Sequence, residues 1–166
     1  MGCLIRKIFY SPVKSISFDS VSSIRIKKSI GLENDRIFSF SRNIDFNESK
    51  LIELNPNKRS LHNFLTLRNS PFLNKYNFFL SNNELALKRN NIELIRISIL
   101  NKNKFGDLVE ILIKLEPKIK PPIFLLKNIK NPFFDTMPKN SISLINLKTV
   151  KDFSNKIATK IEFERF

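Results

Sequence analysis

The sequence predicts a mostly β protein with a few helices, and three observations lead to this fold class. Several short segments before Asn101 alternate apolar and polar residues, which is the period of a half-buried strand. Short stretches rich in Asn, Ser and Pro separate them, as expected of strands joined by turns. With 42% hydrophobic residues and sixteen Phe among 166 residues, the chain can also bury a substantial core.

The first three predicted strands precede Asn43 and are joined by short loops, which indicates antiparallel pairing. The first should end before Pro12, which cannot donate to a strand ladder. Gly31 supplies a turn with positive φ before the third, in which Phe38 and Phe40 point to the same side. These strands are expected at 4–10, 23–28 and 37–42.

The middle of the chain predicts a loop, a strand and a hairpin. Residues 43–58 are polar, with Pro56 and repeated Asn, and predict a loop. Residues 64–69 predict a further strand. Residues 83–97 predict a hairpin turned by Asn90 and Asn91, because Asn tolerates the left-handed conformation of tight turns.

Two later segments have helical periodicity. Residues 105–115 carry apolar residues at steps of three and four, with Asp107 as the expected N-cap and Pro117 as the stop. Residues 141–147 predict a buried strand, and Asn146 near its end can cap a second helix. The proline-rich segment between them predicts a linker or crossover with a short strand near 123–126. The expected domain boundaries are 1–115, 116–138 and 139–166.

Charge and cysteine content restrict the function classes. The net charge of +14 suggests anionic partners, but the Lys and Arg residues are scattered along the chain, as on solvated surfaces. The single cysteine, Cys3, excludes an internal disulfide. No apolar run approaches the roughly 18 residues of a membrane span, so a cytoplasmic location is expected.

The sequence contains no self-contained catalytic constellation. Cys3 and His62 are the only residues of their types, so neither a nucleophile pair nor a zinc site is expected. Three glycines cannot form a Gly-rich phosphate loop. Lys14 and Arg36, however, each lie at a turn beside a predicted strand. In an antiparallel arrangement, strands one and three could bring both residues to one edge and so to one anion. The alternative is a solvated Lys14 and a structural turn at Asp35 and Arg36.

The motifs that hold these residues resemble the MOSC family. "YSPVKSISFDS" and "GLENDRIF" are similar to the N-terminal β-barrel domain of MOSC proteins, and "SISLINLKTVKDFSNKIATKIEFERF" resembles the start of the MOSC domain itself. "PNKRSLHNFLTLRNSPFL" is similar to a pattern of a bacterial subgroup. The family includes molybdenum cofactor sulfurases and the mitochondrial amidoxime-reducing component. The resemblance implies a β-barrel-like domain followed by the beginning of a second barrel.

The resemblance also implies a function and a site. It predicts binding of the molybdenum cofactor, a pterin carrying a phosphate, through Lys14, Ser15 and Arg36. Molybdenum and pyridoxal phosphate binding are further attributes of the family. The full-length form is expected to act in sulfur transfer or reduction of N-hydroxylated substrates, with a redox or sulfur-donor protein as partner.

The chain departs from the family pattern, and two alternatives stay open. The family's downstream molybdenum-ligating cysteine is missing before the chain ends at Phe166, so no catalytic or metal residue is predicted. One alternative is a basic β-barrel that stacks nucleic-acid bases on Phe side chains, although the Phe residues alternate as core positions do. The other is a non-catalytic relic of the MOSC fold.

Overall fold

The protein combines helices and short strands in comparable amounts. The computed structural model describes residues 4–134 and 145–161. About 30% of these residues are helical and 26% are in strands, and the small antiparallel sheets that they form do not close into a barrel. The prediction of a mostly β, barrel-like protein is therefore corrected to a mixed fold. Helical turns occupy much of the region between the third and fourth predicted strands.

The strands form three two-stranded sheets and one three-stranded sheet in the described part of the chain. In chain order they are β1 (Ile8–Tyr10), β2 (Asp19–Val21), β3 (Ile26–Lys27), β4 (Gly31–Leu32), β5 (Phe38–Phe40), β6 (Tyr76–Ser81), β7 (Glu84–Arg89), β8 (Ile92–Ser98) and β9 (Leu125–Lys127). β1 pairs with β2, β3 with β4, β5 with β9, and β7 with both β6 and β8, all antiparallel.

The described helices are α1 (Phe46–Leu54), α2 (Phe105–Leu115) and α3 (Leu147–Lys156). Short 3₁₀ helices lie at Pro56–Lys58, Leu61–Asn63, Pro71–Lys75 and Lys102–Lys104. None of the helices in these ranges combines the length and apolar character needed to cross a bilayer.

The predicted hairpin is confirmed as β7 and β8. Asn90 and Asn91 turn it with φ values of 52° and 64°, the left-handed pair that a tight hairpin needs. β6 precedes it and extends it into a meander, turned by Asn82 and Asn83 with φ values of 50° and 61°. The sequence analysis did not predict β6, although the turn between β6 and β7 is formed by two Asn residues, as is the turn between β7 and β8.

β5 runs through the centre of the fold. Phe38 and Phe40 lie on one side of it, as predicted, and both are fully buried in the main core. The Phe38 ring meets Phe105 of α2 edge-on with 6.1 Å between centroids, and the Phe40 ring lies 5.8 Å from Phe78. A second, smaller core cluster comprises Ile44, Ile52, Phe64, Leu126 and Phe133.

The partner of β5 is the short strand expected near 123–126. It is β9, whose Leu125 contributes to the main core and whose Leu126 contributes to the second cluster. This division follows from the alternation of side chains along a strand. β9 lies in the segment predicted as a linker or crossover, and Ile119 and Ile123 of that segment also pack into the main core.

Two predictions in the middle of the chain are wrong. The segment 43–58 contains α1 rather than only a loop, because Asp45 and Glu48 form a capping box that starts the helix. The predicted strand 64–69 is reduced to an isolated bridge between Phe64 and Ser41. The chain then turns at Thr66, where the Asn69 side chain accepts a hydrogen bond from the Thr66 backbone N–H at 2.9 Å.

The two predicted helices are confirmed as α2 and α3. Leu108 and Leu112 of α2 are buried, but Asp107 lies in the first turn and pairs with Lys104 rather than capping the helix. The Asn146 side chain caps α3 by accepting hydrogen bonds from two backbone N–H groups. The strand expected at 141–147 falls mainly on residues outside the described ranges, and the final segment 162–166 also lies outside them.

Candidate functional site

The two turns that carry Lys14 and Arg36 lie side by side. Val13 and Phe38 form an isolated parallel bridge. The backbone N–H of Lys14 donates to the Phe38 carbonyl, and the N–H of Phe38 donates to the Pro12 carbonyl, each at 2.9 Å. The bridge lies just after the first predicted strand, which itself pairs with β2. The two turns converge because their segments run in the same direction at this point.

Asp35 fastens the two turns to each other. Its Oδ1 accepts a hydrogen bond from the Ser11 backbone N–H at 3.0 Å, and the Arg36 N–H donates to the Ser11 carbonyl at 2.6 Å. Its other oxygen, Oδ2, lies 2.5 Å from Arg36 Nη1. Burial raises the pKa of Asp35, while Arg36 and the hydrogen bond from Ser11 oppose that shift. The Asp35 carboxylate thus contacts the backbone of one turn and the side chain of the other.

Lys14 is buried rather than solvated. Only 3% of the residue is exposed, and its Nζ donates to the Phe133 carbonyl at 3.2 Å. The same ammonium group lies 5.7 Å from the centroid of the Phe64 ring. Lys14 therefore points toward the second core cluster and lies against the chain at Phe133.

Arg36 lies at the edge of the same region and is partly open to solvent. Its side chain is 29% exposed, and its guanidinium carbon lies 5.6 Å from the Phe18 ring centroid and 5.2 Å from that of Phe134. Its carbonyl accepts the Phe133 N–H at 2.8 Å. Lys14 and Arg36 consequently contact the same short stretch, Phe133–Phe134. Arg36 has a φ of 53°, an unusual conformation for a residue with a long side chain.

Ser15 completes the predicted trio. It follows Lys14 directly, is half-buried, and has a φ of 58°. A non-glycine residue in this conformation is uncommon, and such residues often occur at turns with a binding role. The structure therefore brings all three predicted residues to two adjacent turns.

Arg59 supports the site and was not predicted. Its Nη1 donates to the carbonyls of Asn131 and Pro132, both at 2.9 Å. Its Nε and Nη2 donate to two carbonyls at the end of α1, those of Ile52 at 3.0 Å and Glu53 at 3.1 Å. Its guanidinium also lies 4.1 Å from the Phe133 ring centroid.

These contacts show what Arg59 does for the site. It fixes the stretch that Lys14 and Arg36 contact, residues 131–134, against α1. Burial lowers the pKa of Arg59 to about 10, partly offset by Glu53. No local sequence signal marks the residue, since all of its acceptors are backbone carbonyls.

The donor set fits an anionic, planar ligand better than a metal ion. Arg36 offers a fork of N–H donors beside two aromatic rings, which suits a phosphate attached to a flat ring system. Within residues 4–134 and 145–161 no group of three His, Cys, Asp or Glu residues could hold a metal ion. His62 lies exposed in a 3₁₀ turn, and Cys3 is outside the described residues. The described residues around Arg36 therefore offer hydrogen-bond donors suited to an anion, and no metal-binding group lies among them.

The case for base stacking loses part of its support. Phe38, Phe40 and Phe78, which lie in strands, are fully buried and so cannot stack on nucleic-acid bases. A single-stranded binding surface needs exposed aromatic rings along a basic groove. Phe79 of β6 is half-buried and lies 4.9 Å from the Lys88 ammonium group, so that pair and the dispersed charge are what the alternative retains.

No family model, curated protein or solved structure matches the chain. The resemblance to MOSC proteins therefore stays an expectation carried by the motifs around Lys14, Arg36 and Asn146. What the structure adds is the geometry of the residues in the first two motifs.

Proposed function

We propose that the adjacent turns bearing Lys14, Ser15 and Arg36 bind the phosphate-bearing pterin of the molybdenum cofactor. The observation that carries the proposal is the meeting of both basic residues at Phe133–Phe134. Asp35 offsets part of the charge of Arg36, and Lys14 adds a positive charge that favours an anion beside it.

Arg36 is the residue that would contact the anion directly. Its guanidinium has five N–H donors, of which Nη1 is used by Asp35. Asp35 fixes the orientation of the side chain, while the partial exposure leaves the remaining donors open to a ligand from solvent. A fork of this kind recognises phosphate through two parallel hydrogen bonds.

The aromatic rings on either side of Arg36 suit the flat part of the ligand. Phe18 and Phe134 both lie within 6 Å of the guanidinium carbon, at 5.6 Å and 5.2 Å. A pterin ring that stacks on one of them would place its phosphate side chain near the guanidinium. Aromatic pairs of this type add stabilisation beyond the area that they bury.

Lys14 and Ser15 have different roles in the proposal. Because Lys14 is almost fully buried, it contributes mainly through its positive charge behind the site, in surroundings where the field of a charge is weakly screened. Ser15 is half-buried and can donate one hydroxyl hydrogen bond to the ligand. The resemblance to MOSC proteins implies a direct contact between Lys14 and the cofactor. The burial of Lys14 does not favour such a contact.

When bound, the cofactor would supply the oxygen-atom or sulfur chemistry of a molybdenum centre. The described residues bind and orient the pterin end in this proposal, and no step of that chemistry is assigned to them. Sulfur transfer or reduction of N-hydroxylated substrates, with a redox or sulfur-donor partner, belongs to the same proposal.

The test is a titration of the purified chain with the oxidised, fluorescent phosphate form of the pterin. Arg36→Gln should weaken binding about tenfold or more, because it removes a charge-assisted fork. Arg36→Lys should recover only part of the affinity, since an ammonium group cannot bind phosphate bidentately. Lys28→Gln, an exposed change of equal charge, should leave the affinity within about twofold.

Two results would contradict this assignment. One is equal binding by the native chain and Arg36→Gln, with both folded by circular dichroism. The other is an equal loss of affinity in Lys28→Gln, which would show that only net charge matters.

A further inference from the structure

A second basic site lies at the other end of β5. Arg36 precedes this strand and Arg42 follows it, so the two residues are on the order of 20 Å apart along an extended chain. A cleft of about 460 Å³ opens beside Arg42. Its volume is in the range of small-molecule sites, about 300–1,000 Å³. The proposed pterin site does not include this cleft, although part of the cleft is lined by residues of the motif at 56–73.

The described lining of the cleft carries three cations and no carboxylate. The cations are Arg42, Lys118 and Lys120. Glu116, which begins the turn that bears the two lysines, directs its carboxylate elsewhere. It accepts a hydrogen bond from the Tyr76 hydroxyl at 2.6 Å and pairs with Lys75. Glu116 therefore does not neutralise the charge of the cleft.

The cationic groups are available to a ligand. Lys118 and Lys120 are exposed, and neither ammonium group forms an ion pair or a hydrogen bond with the described residues. The Arg42 guanidinium contacts the Asn43 amide oxygen, at 3.1 Å from Nε and 3.3 Å from Nη2, once that amide is oriented to accept. Arg42 has no carboxylate partner in the described part of the chain.

The remaining wall of the cleft combines apolar side chains of the core with polar groups. Leu65, Ile119 and Ile123 are buried residues of the main core that reach its surface here, and Phe72 packs against the same core. The polar groups come from Asn43, Asn69 and the buried Ser70. A ligand pocket of the common kind has this composition, with apolar walls and a few converging polar groups.

We propose that this cleft binds a small phosphate monoester with an apolar or aromatic body. Three cations favour a dianion over a single carboxylate, because each added positive group increases the local potential. Arg42 offers a fork that matches phosphate, and the two lysines act as point charges. The apolar body of the ligand would lie against Leu65, Phe72 and Ile123, where it is removed from water.

The test uses phenyl phosphate as the probe, with benzoate and inorganic phosphate as comparison ligands. Calorimetry at moderate salt should show that phenyl phosphate binds more tightly than either benzoate or inorganic phosphate. The double variant Lys118→Gln/Lys120→Gln should bind phenyl phosphate about tenfold more weakly. Backbone amide NMR shifts should concentrate around Arg42, Ser70 and Ile119.

The control is Lys28→Gln/Lys151→Gln, which removes the same charge from two exposed lysines outside the cleft. It should change the affinity by less than about twofold. Equal weakening by both double variants would overturn the proposal in favour of net charge alone. Absence of NMR shifts at millimolar phenyl phosphate, or equal binding of inorganic phosphate, would also overturn it. Arg36→Gln should leave this binding unchanged, so the outcome is independent of the pterin site.

Discussion

Arg59 offers a direct test of how the site is held together, through the variant Arg59→Met. Methionine retains much of the apolar stem and its packing on the Phe133 ring but removes every donor. The native guanidinium makes four hydrogen bonds to backbone carbonyls, two at the end of α1 and two at residues 131–132. The variant removes Arg59 as the donor to all four carbonyls, of which the Glu53 carbonyl keeps its hydrogen bond from Asn128 at 2.6 Å. It thereby releases the stretch that contacts Lys14 and Arg36.

The expected cost follows from these contacts. A hydrogen bond from a charged group contributes about 1.5–3 kcal/mol net, and an orphaned buried acceptor costs about 1–3 kcal/mol. Because Arg59 is only half-buried, water can replace some of the lost donors. We therefore expect the free energy of unfolding to fall by about 3 kcal/mol. In a chain of this size, that corresponds to a decrease in Tm of about 6–12 °C.

The assay is urea unfolding followed by circular dichroism, with Arg25→Met as the matched control. The Arg25 side chain is 75% exposed and lies 3.9 Å from Glu33, so its loss should change stability by less than about 0.5 kcal/mol. If Arg59→Met unfolds at the same urea concentration as Arg25→Met, the four hydrogen bonds do not hold residues 131–134 as inferred.

Two further predictions concern α1 and the buried Tyr76–Glu116 pair. Asp45→Ala removes the capping box with Glu48 and should lower the free energy of unfolding in urea by about 1 kcal/mol. Asp45→Asn should keep most of the native stability. Equal losses in the two variants would exclude a capping role for Asp45. Burial and the hydrogen bond to Glu116 raise the pKa of Tyr76 to about 12, so an ultraviolet titration should show one tyrosine ionising near pH 12 that Tyr76→Phe abolishes. Since the folded pKa is raised, this contribution to stability is complete below about pH 10 and is lost as the pH rises through about 12. Burial acts to raise the pKa of Glu116, but hydrogen bonds from Lys75 and Tyr76 outweigh burial and lower that pKa. The contribution of Glu116 to folding stability is therefore present above pH 4.5 and is lost at lower pH. A Glu116→Gln variant with unchanged acid sensitivity would disprove the latter assignment.

Local patterns predicted the elements that local interactions stabilise. The periodicity of α2 and α3 and the Asn90-Asn91 turn of the hairpin can be read from neighbouring residues, and the structure contains all three. The sequence analysis predicted a loop where α1 lies, although the signal for this helix is present in the sequence. Its capping box, Asp45 and Glu48, is legible in the sequence, but the high Asn content and Pro56 favoured a loop.

The overall fold class could not be settled in the same way. Short apolar runs are compatible with strands, 3₁₀ turns or isolated bridges, and pairing partners decide among them. Phe64 shows this, because its segment has a strand-like pattern but forms only one bridge, to Ser41. The short strands that result do not close into the predicted barrel in the described part of the chain.

The candidate site, too, could be predicted from the sequence only in part. By itself the sequence determined that Lys14, Ser15 and Arg36 lie in turns beside strands, because Pro12, Gly31 and the flanking apolar runs specify turns locally. Only the tertiary structure decided that these turns run parallel, that Lys14 is buried, and that Arg59 fixes residues 131–134 beside them. The physical reason is that these contacts join residues distant in the chain through backbone carbonyls. Every residue type offers such a carbonyl, so no motif can mark one in advance.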